Sequence, residues 1–141
     1  MSLNAVLGKI SNASPSVLVA LIESTCVQIL LFACECVQWK NCMFSSMERA
    51  YNQIYQKIFK SFDNKIIEQC MFYMGQLPIE LKIVKRRIHF LFALRKSSNT
   101  LLKVLQKTDN DYCDLCNKYK LHTDFKNLDS VLWNYFKNNI K

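Results

Sequence analysis

Between Cys42 and Phe62 the apolar side chains recur in steps of three and four: Met43, Met47, Ala50, Tyr51, Ile54, Tyr55, Ile58 and Phe59. At 3.6 residues per turn, only an α-helix gathers those positions onto one stripe. Arg49, Asn52, Gln53, Gln56, Lys57 and Lys60 take the other side. The chain has two glycines and two prolines in 141 residues, so few tight turns can be built and helices with short polar links are favoured over hairpins. These features predict an all-α fold: a single-domain helical bundle of about five main helices plus short C-terminal helices. The core is expected over about 3–106 and a C-terminal helical extension over about 107–141.

The other helices follow from caps and periodicity. Ser2 can cap a short helix over Leu3 to Ile10. Ser14-Pro15 offers a capping hydroxyl followed by proline at the first helical position, and the next helix is expected to run to about Cys36. It is apolar nearly all round, so a central place is expected for it. Asp63 or Asn64 can cap a helix with Ile66, Ile67, Cys70, Met71 and Met74 on its stripe, and Gly75 suits the left-handed position that ends it. After Ser97-Ser98-Asn99 a short helix is expected to Gln106, then a loop over Thr108 to Asp111 and a helix over Tyr112 to Tyr119. Asn127 or Asp129 opens the last helix, with Val131, Leu132, Tyr135 and Phe136 inward.

Most of the functional signal lies in Leu77 to Lys96. Pro78 opens a helix in which Leu81, Val84, Ile88, Leu91 and Phe92 form the apolar stripe. Lys82, Arg86, His89 and Lys96 line a different face, flanked by Lys85, Arg87 and Arg95. With a net charge of +8, this dense positive face suits phosphates, and these seven residues are the candidate nucleic-acid contacts. A merely solvated face is the alternative.

Other chemistry finds little support in the residues. Cys113 and Cys116 have zinc-ligand spacing and His122 follows, but a closed site needs a fourth ligand that the sequence does not offer. Asp109 and Asp111 read as turn and cap residues. No phosphate-cradling glycine loop and no serine in a sharp glycine-rich turn is present. No cofactor and no stand-alone enzyme is expected. Seven cysteines, an odd count, with no secretory leader, predict reduced thiols in an intracellular protein of the cytoplasm or nucleus. Val17 to Val37 is strongly apolar but carries Glu23, Gln28 and Glu35, and a charge near a bilayer centre costs about 3 kcal/mol. A buried helix is expected there, with no membrane partner.

The order of segments resembles one known family. NAVLGKI at Asn4 to Ile10 and LIESTCVQILLFACE at Leu21 to Glu35 look like the region after the palm in LINE-type (non-LTR) retrotransposon reverse transcriptases. The pattern there runs N-A-[LIV]-x-G-K-[IV], then S-x-C-x-P-x-L-L-Y-G-x-E. The stretch Ser45 to Asp63 is similar to the family's following helix, Leu77 to Leu105 to its later L-P, R-R-x-x-F-L and x-L-L-x-x-L run, and Asp114 to Leu121 to a leucine-and-tyrosine pattern near its C-terminus. Gln28 and Ala33 stand where the family has proline and glycine, and Phe32 where it has tyrosine. No Tyr-x-Asp-Asp of a palm occurs in these residues. The resemblance implies a thumb and post-thumb piece without its polymerase site. It would be non-catalytic and would grip an RNA–DNA hybrid or DNA backbone weakly and without sequence preference, and it could self-associate through the surface that faces a palm. The competing expectation is a small helical structural or protein-interaction module.

Overall fold

A computed structural model describes residues 13–36, 40–108, 111–119 and 127–140. The fold is all-α, with no strand among the described residues. In chain order the helices are α1 (Pro15–Ser24), α2 (Cys26–Leu30), a 3-10 turn (Cys34–Cys36), α3 (Asn41–Phe59), α4 (Asn64–Tyr73), α5 (Ile79–Lys96), α6 (Thr100–Thr108), α7 (Asp111–Tyr119) and α8 (Leu128–Asn139). The expected helix over 3–10 lies outside the described residues.

Contacts gather into two compact units, with the boundary between Ile79 and Glu80. The N-terminal unit runs to Ala33 and from 37 to 79; the C-terminal unit holds Cys34–Cys36 and everything from Glu80 on.

In the N-terminal unit α1 packs on α2 and α3, and α3 packs on α4. The long rhythm of α3 delivers Met47, Tyr51, Ile54, Tyr55 and Ile58 to the core, with Ile67 and Met71 from α4. Met43, at the start of the stripe, is exposed. Asp63 caps α4, its Oδ1 accepting from the Lys65 amide at 2.9 Å. At the other end Gly75 has φ +70, the Gln76 amide donates to the Met71 carbonyl at 2.8 Å and the Gly75 amide to Phe72 at 3.1 Å. This is the Schellman closure, which needs a residue without Cβ strain at that point.

The apolar segment after Pro15 departs from expectation. One helix to Cys36 was predicted, but the helix breaks at Thr25. The Ser24 and Thr25 hydroxyls both donate to the Leu21 carbonyl, at 3.0 and 2.7 Å, and compete with the backbone for it. Ala33 then adopts φ +57, a left-handed turn that ends the regular run before the 3-10 residues. Nor is the segment central throughout. Leu18, Val19, Ile22, Val27 and Leu31 are buried, yet Val17, Ile29 and Phe32 are 55, 74 and 82% exposed. By length and composition 15–36 could cross a membrane, and a third of its most apolar window is buried.

In the C-terminal unit α5 buries Leu81, Ile83, Val84, Ile88 and Leu91. Phe92 was expected on that stripe, but it sits at the edge toward the basic arc and is exposed. α7 packs on α8. Tyr119 of α7 and Leu128, Leu132 and Phe136 of α8 are buried, and the Tyr119 and Tyr135 rings meet edge-on at 5.0 Å.

Candidate nucleic-acid interface

The seven predicted contact residues all lie on α5. At 100° per residue, Lys82, Lys85, Arg86, His89 and Lys96 fall within an arc of about 100°, while Arg87 and Arg95 lie off it. Lys82, Lys85, Arg86 and Arg87 are half-buried; His89, Arg95 and Lys96 are exposed. Their stems can lie along apolar neighbours while the charged ends reach water.

The fold brings anionic partners that the sequence order hides. Lys85 forms a close ion pair with Asp129 of α8. Glu80, at the start of α5, accepts from the Tyr119 hydroxyl at 3.1 Å and from Lys118 at 3.3 Å. Burial, then the Glu80 charge, raises the Tyr119 phenol above its ordinary range. Cys34 donates to Glu35 at 3.4 Å, and burial followed by that carboxylate pushes its thiol up to about 11, opposed by the positive charge of Arg86. Arg95 reaches across to α7, with its Nη2 3.8 Å from the Cys113 sulfur. The arc therefore holds cations of two kinds: Lys85 is matched by Asp129, and Arg86 lies within electrostatic reach of a thiol and its acidic neighbour.

The N-terminal unit uses its polar chemistry differently. Glu23 projects from α1 and accepts from the Tyr55 hydroxyl of α3. The Tyr51 hydroxyl lies 3.3 Å from the same carboxylate oxygen, 3.2 Å from the Tyr55 hydroxyl and 3.0 Å from the Leu77 carbonyl. With one proton to give, Tyr51 can satisfy Leu77 while Tyr55 satisfies Glu23. Both rings are fully buried, and burial together with the Glu23 charge raises both phenols. Residue reading placed these tyrosines in the core and gave Glu23 no partner. A carboxylate in an apolar helix, and two tyrosines one turn apart on another, were the available signals.

Among the described residues no group of three His, Cys, Asp or Glu side chains could hold a metal. Cys113 and Cys116 share α7, while His122 and Asp109 lie outside the described residues. None of the seven cysteines is in a disulfide: Cys36, Cys42 and Cys113 are exposed, Cys26, Cys70 and Cys116 half-buried, and Cys34 buried. A cleft of about 580 Å³ at the end of α3 is lined by Gln53, Gln56, Lys57, Lys60 and Phe62.

Comparison of the chain with family models, with curated proteins and with solved structures finds no match.

Proposed function

We propose that this chain is a non-catalytic, thumb-like piece of a LINE-type retrotransposon reverse transcriptase that holds the backbone of an RNA–DNA hybrid or DNA through α5. The observation that carries the reading is the basic arc on α5, five cationic or titratable side chains within about a third of a turn of one another. Phosphate contacts of this kind position a duplex without reading its sequence. Two further features support the family reading. Ala33 occupies the left-handed region at the position where the family pattern has glycine. Gln28, where the pattern has proline, lies in the first turn of α2, a position that accommodates proline.

An isolated piece with a few phosphate contacts binds weakly, with Kd around 10⁻⁴ to 10⁻⁶ M at physiological salt. The test is binding to a labelled RNA–DNA hybrid across a salt series, with the triple variant Lys82→Gln, Arg86→Gln, Arg87→Gln alongside. Each contact adds about 0.9 to the slope of log K against log salt on duplex DNA, so the wild type should show a slope of several units that falls in the variant. Equal affinity with unchanged helical circular dichroism in the variant rejects α5 as the contact. Template-directed extension by the pure protein, with any metal, would reject the non-catalytic reading.

A second reading, a protein-interaction module, is favoured by the exposed Ile29 and Phe32 on the segment after Pro15. Concentration-dependent self-association without hybrid binding is the outcome that would prefer it.

A further inference from the structure

The nucleic-acid reading leaves one cluster unused, the C-x-x-C pair of α7. Cys113 and Cys116 are three residues apart on one helix, which sets their Cα atoms about 5 Å apart. A disulfide spans Cα separations of about 4.4 to 6.8 Å, but its Cβ atoms lie about 3.5 to 4.5 Å apart against about 5 to 6 Å on a regular helix, so joining the two sulfurs draws in the first turn of α7, where Cys113 lies. Cys113 is exposed and Cys116 half-buried, the arrangement of an accessible attacking thiol with a shielded neighbour one turn on. Arg95 of α5 brings a guanidinium N–H to 3.8 Å from the Cys113 sulfur. A donor there steadies the negative charge that collects on sulfur as an S–S bond forms or breaks.

No other two cysteines in the chain have this spacing. Cys36 and Cys42 are as open to solvent as Cys113, but neither has a cysteine one helical turn away. Cys34 is buried, with its thiol pushed up to about 11 by burial and by Glu35.

We propose that Cys113 and Cys116 form a reversible dithiol–disulfide pair that exchanges with small disulfides of the glutathione type. Cys113, as thiolate, attacks one sulfur of the small disulfide; that S–S bond breaks and one small thiol leaves. Cys116 then attacks the Cys113 sulfur of the mixed disulfide, and the second small thiol leaves. The protein dithiol is oxidised by two electrons to the Cys113–Cys116 disulfide, and one small disulfide is reduced to two thiols. Excess small thiol reverses both steps. The exchange needs no nucleic acid, although Arg95 is shared with the candidate interface on α5.

The experiment is exchange of the full chain in buffers of set oxidised-to-reduced glutathione ratio, followed by alkylation and peptide mass spectrometry. The peptide carrying both cysteines should become two hydrogens lighter before Cys36 or Cys42 is modified. Cys116→Ser should trap glutathione on Cys113 as a stable mixed disulfide, and Cys113→Ser should leave Cys116 largely unmodified over the same time. Arg95→Gln should slow the first exchange several-fold while leaving the reaction of Cys42 unchanged. Modification of Cys113 no faster than Cys36 and Cys42, no trapped adduct in Cys116→Ser, or resistance that a zinc chelator relieves would each overturn the proposal.

Discussion

The two units of this chain differ in how deeply they place their charge. The N-terminal unit carries six basic and four acidic side chains, and it draws one of the acids, Glu23, into contact with buried tyrosines. The C-terminal unit carries thirteen basic and seven acidic side chains; its pairs Lys85–Asp129 and Lys118–Glu80 lie where water reaches them, and Glu80 also accepts from the buried Tyr119. A half-buried carboxylate needs donors, and it binds the helices that supply them into one arrangement. A surface pair such as Lys85–Asp129 adds little to stability and can be given up for another anion. The first unit ties α1 to α3 through Glu23; the second ties α5 to α7 and α8 through Glu80 and Lys85 nearer its surface.

The largest effect that could break this contrast is in the apolar core of the first unit. Ile54→Asp places an unpaired charge at a position 5% exposed, and a loss upward of about 4 kcal/mol should unfold or aggregate the chain. A soluble, fully helical variant by circular dichroism would show that α3 has been assigned the wrong face. Next is Tyr55→Phe, which removes the donor to Glu23 and should cost about 1 to 3 kcal/mol in urea titration. An unchanged midpoint would mean that the carboxylate is held by water instead.

The same cluster sets an alkaline limit. Tyr51 and Tyr55 have raised folded-state pKa values, so folding keeps their protons on where an unfolded phenol releases them near pH 10. Their stabilising contribution is whole below that value and falls as pH rises past it, and Cys34 adds loss in the window between about 9 and 11. Melting temperature should drop steadily above pH 9, and the drop should be shallower in Tyr55→Phe. A flat profile to pH 11 would contradict the buried cluster.

A smaller gain is expected from Ala33→Gly. The left-handed turn costs an L-residue about 1 kcal/mol or more, so the variant should be more stable by about 1 kcal/mol in the same titration. Destabilisation would mean that the turn is not kept in solution. The smallest change in stability, under about 1 kcal/mol, belongs to Asp129→Asn. If α5 grips phosphates, this variant should bind an RNA–DNA hybrid more tightly at low salt and steepen the salt slope by about 0.9, because Lys85 loses its internal competitor. No change in slope would remove Lys85 from the interface.

Local chemistry explains what was legible in the sequence. Asp63 as a cap, Gly75 as a left-handed terminator and the three-and-four rhythm of α3 depend on residues a few positions apart, and all three stand in the fold. The seven residues of the candidate interface do share α5 for the same reason. The break at Thr25 was not legible, because it uses no glycine or proline; it arises from two hydroxyls that turn back on one carbonyl. Asp129 was not legible as the partner of Lys85, nor Glu23 as the partner of Tyr51 and Tyr55. Each pair joins distant helices, and periodicity within a helix says which face is buried but not what meets it. Phe92 failed for a narrower reason, since a stripe has edges and a single residue there can go either way.

The Glu23 cluster also has a consequence for how the chain is made. The tyrosines that meet this carboxylate are 28 and 32 residues further on. At about 5 to 20 residues per second, a ribosome delivers them roughly 1 to 6 seconds after Glu23 itself. Through that interval the nascent chain presents an apolar run of 22 residues before the tyrosines that meet Glu23 have been made. Until α3 is made, Glu23 and the apolar face of α1 lack the partners that they meet in the folded N-terminal unit.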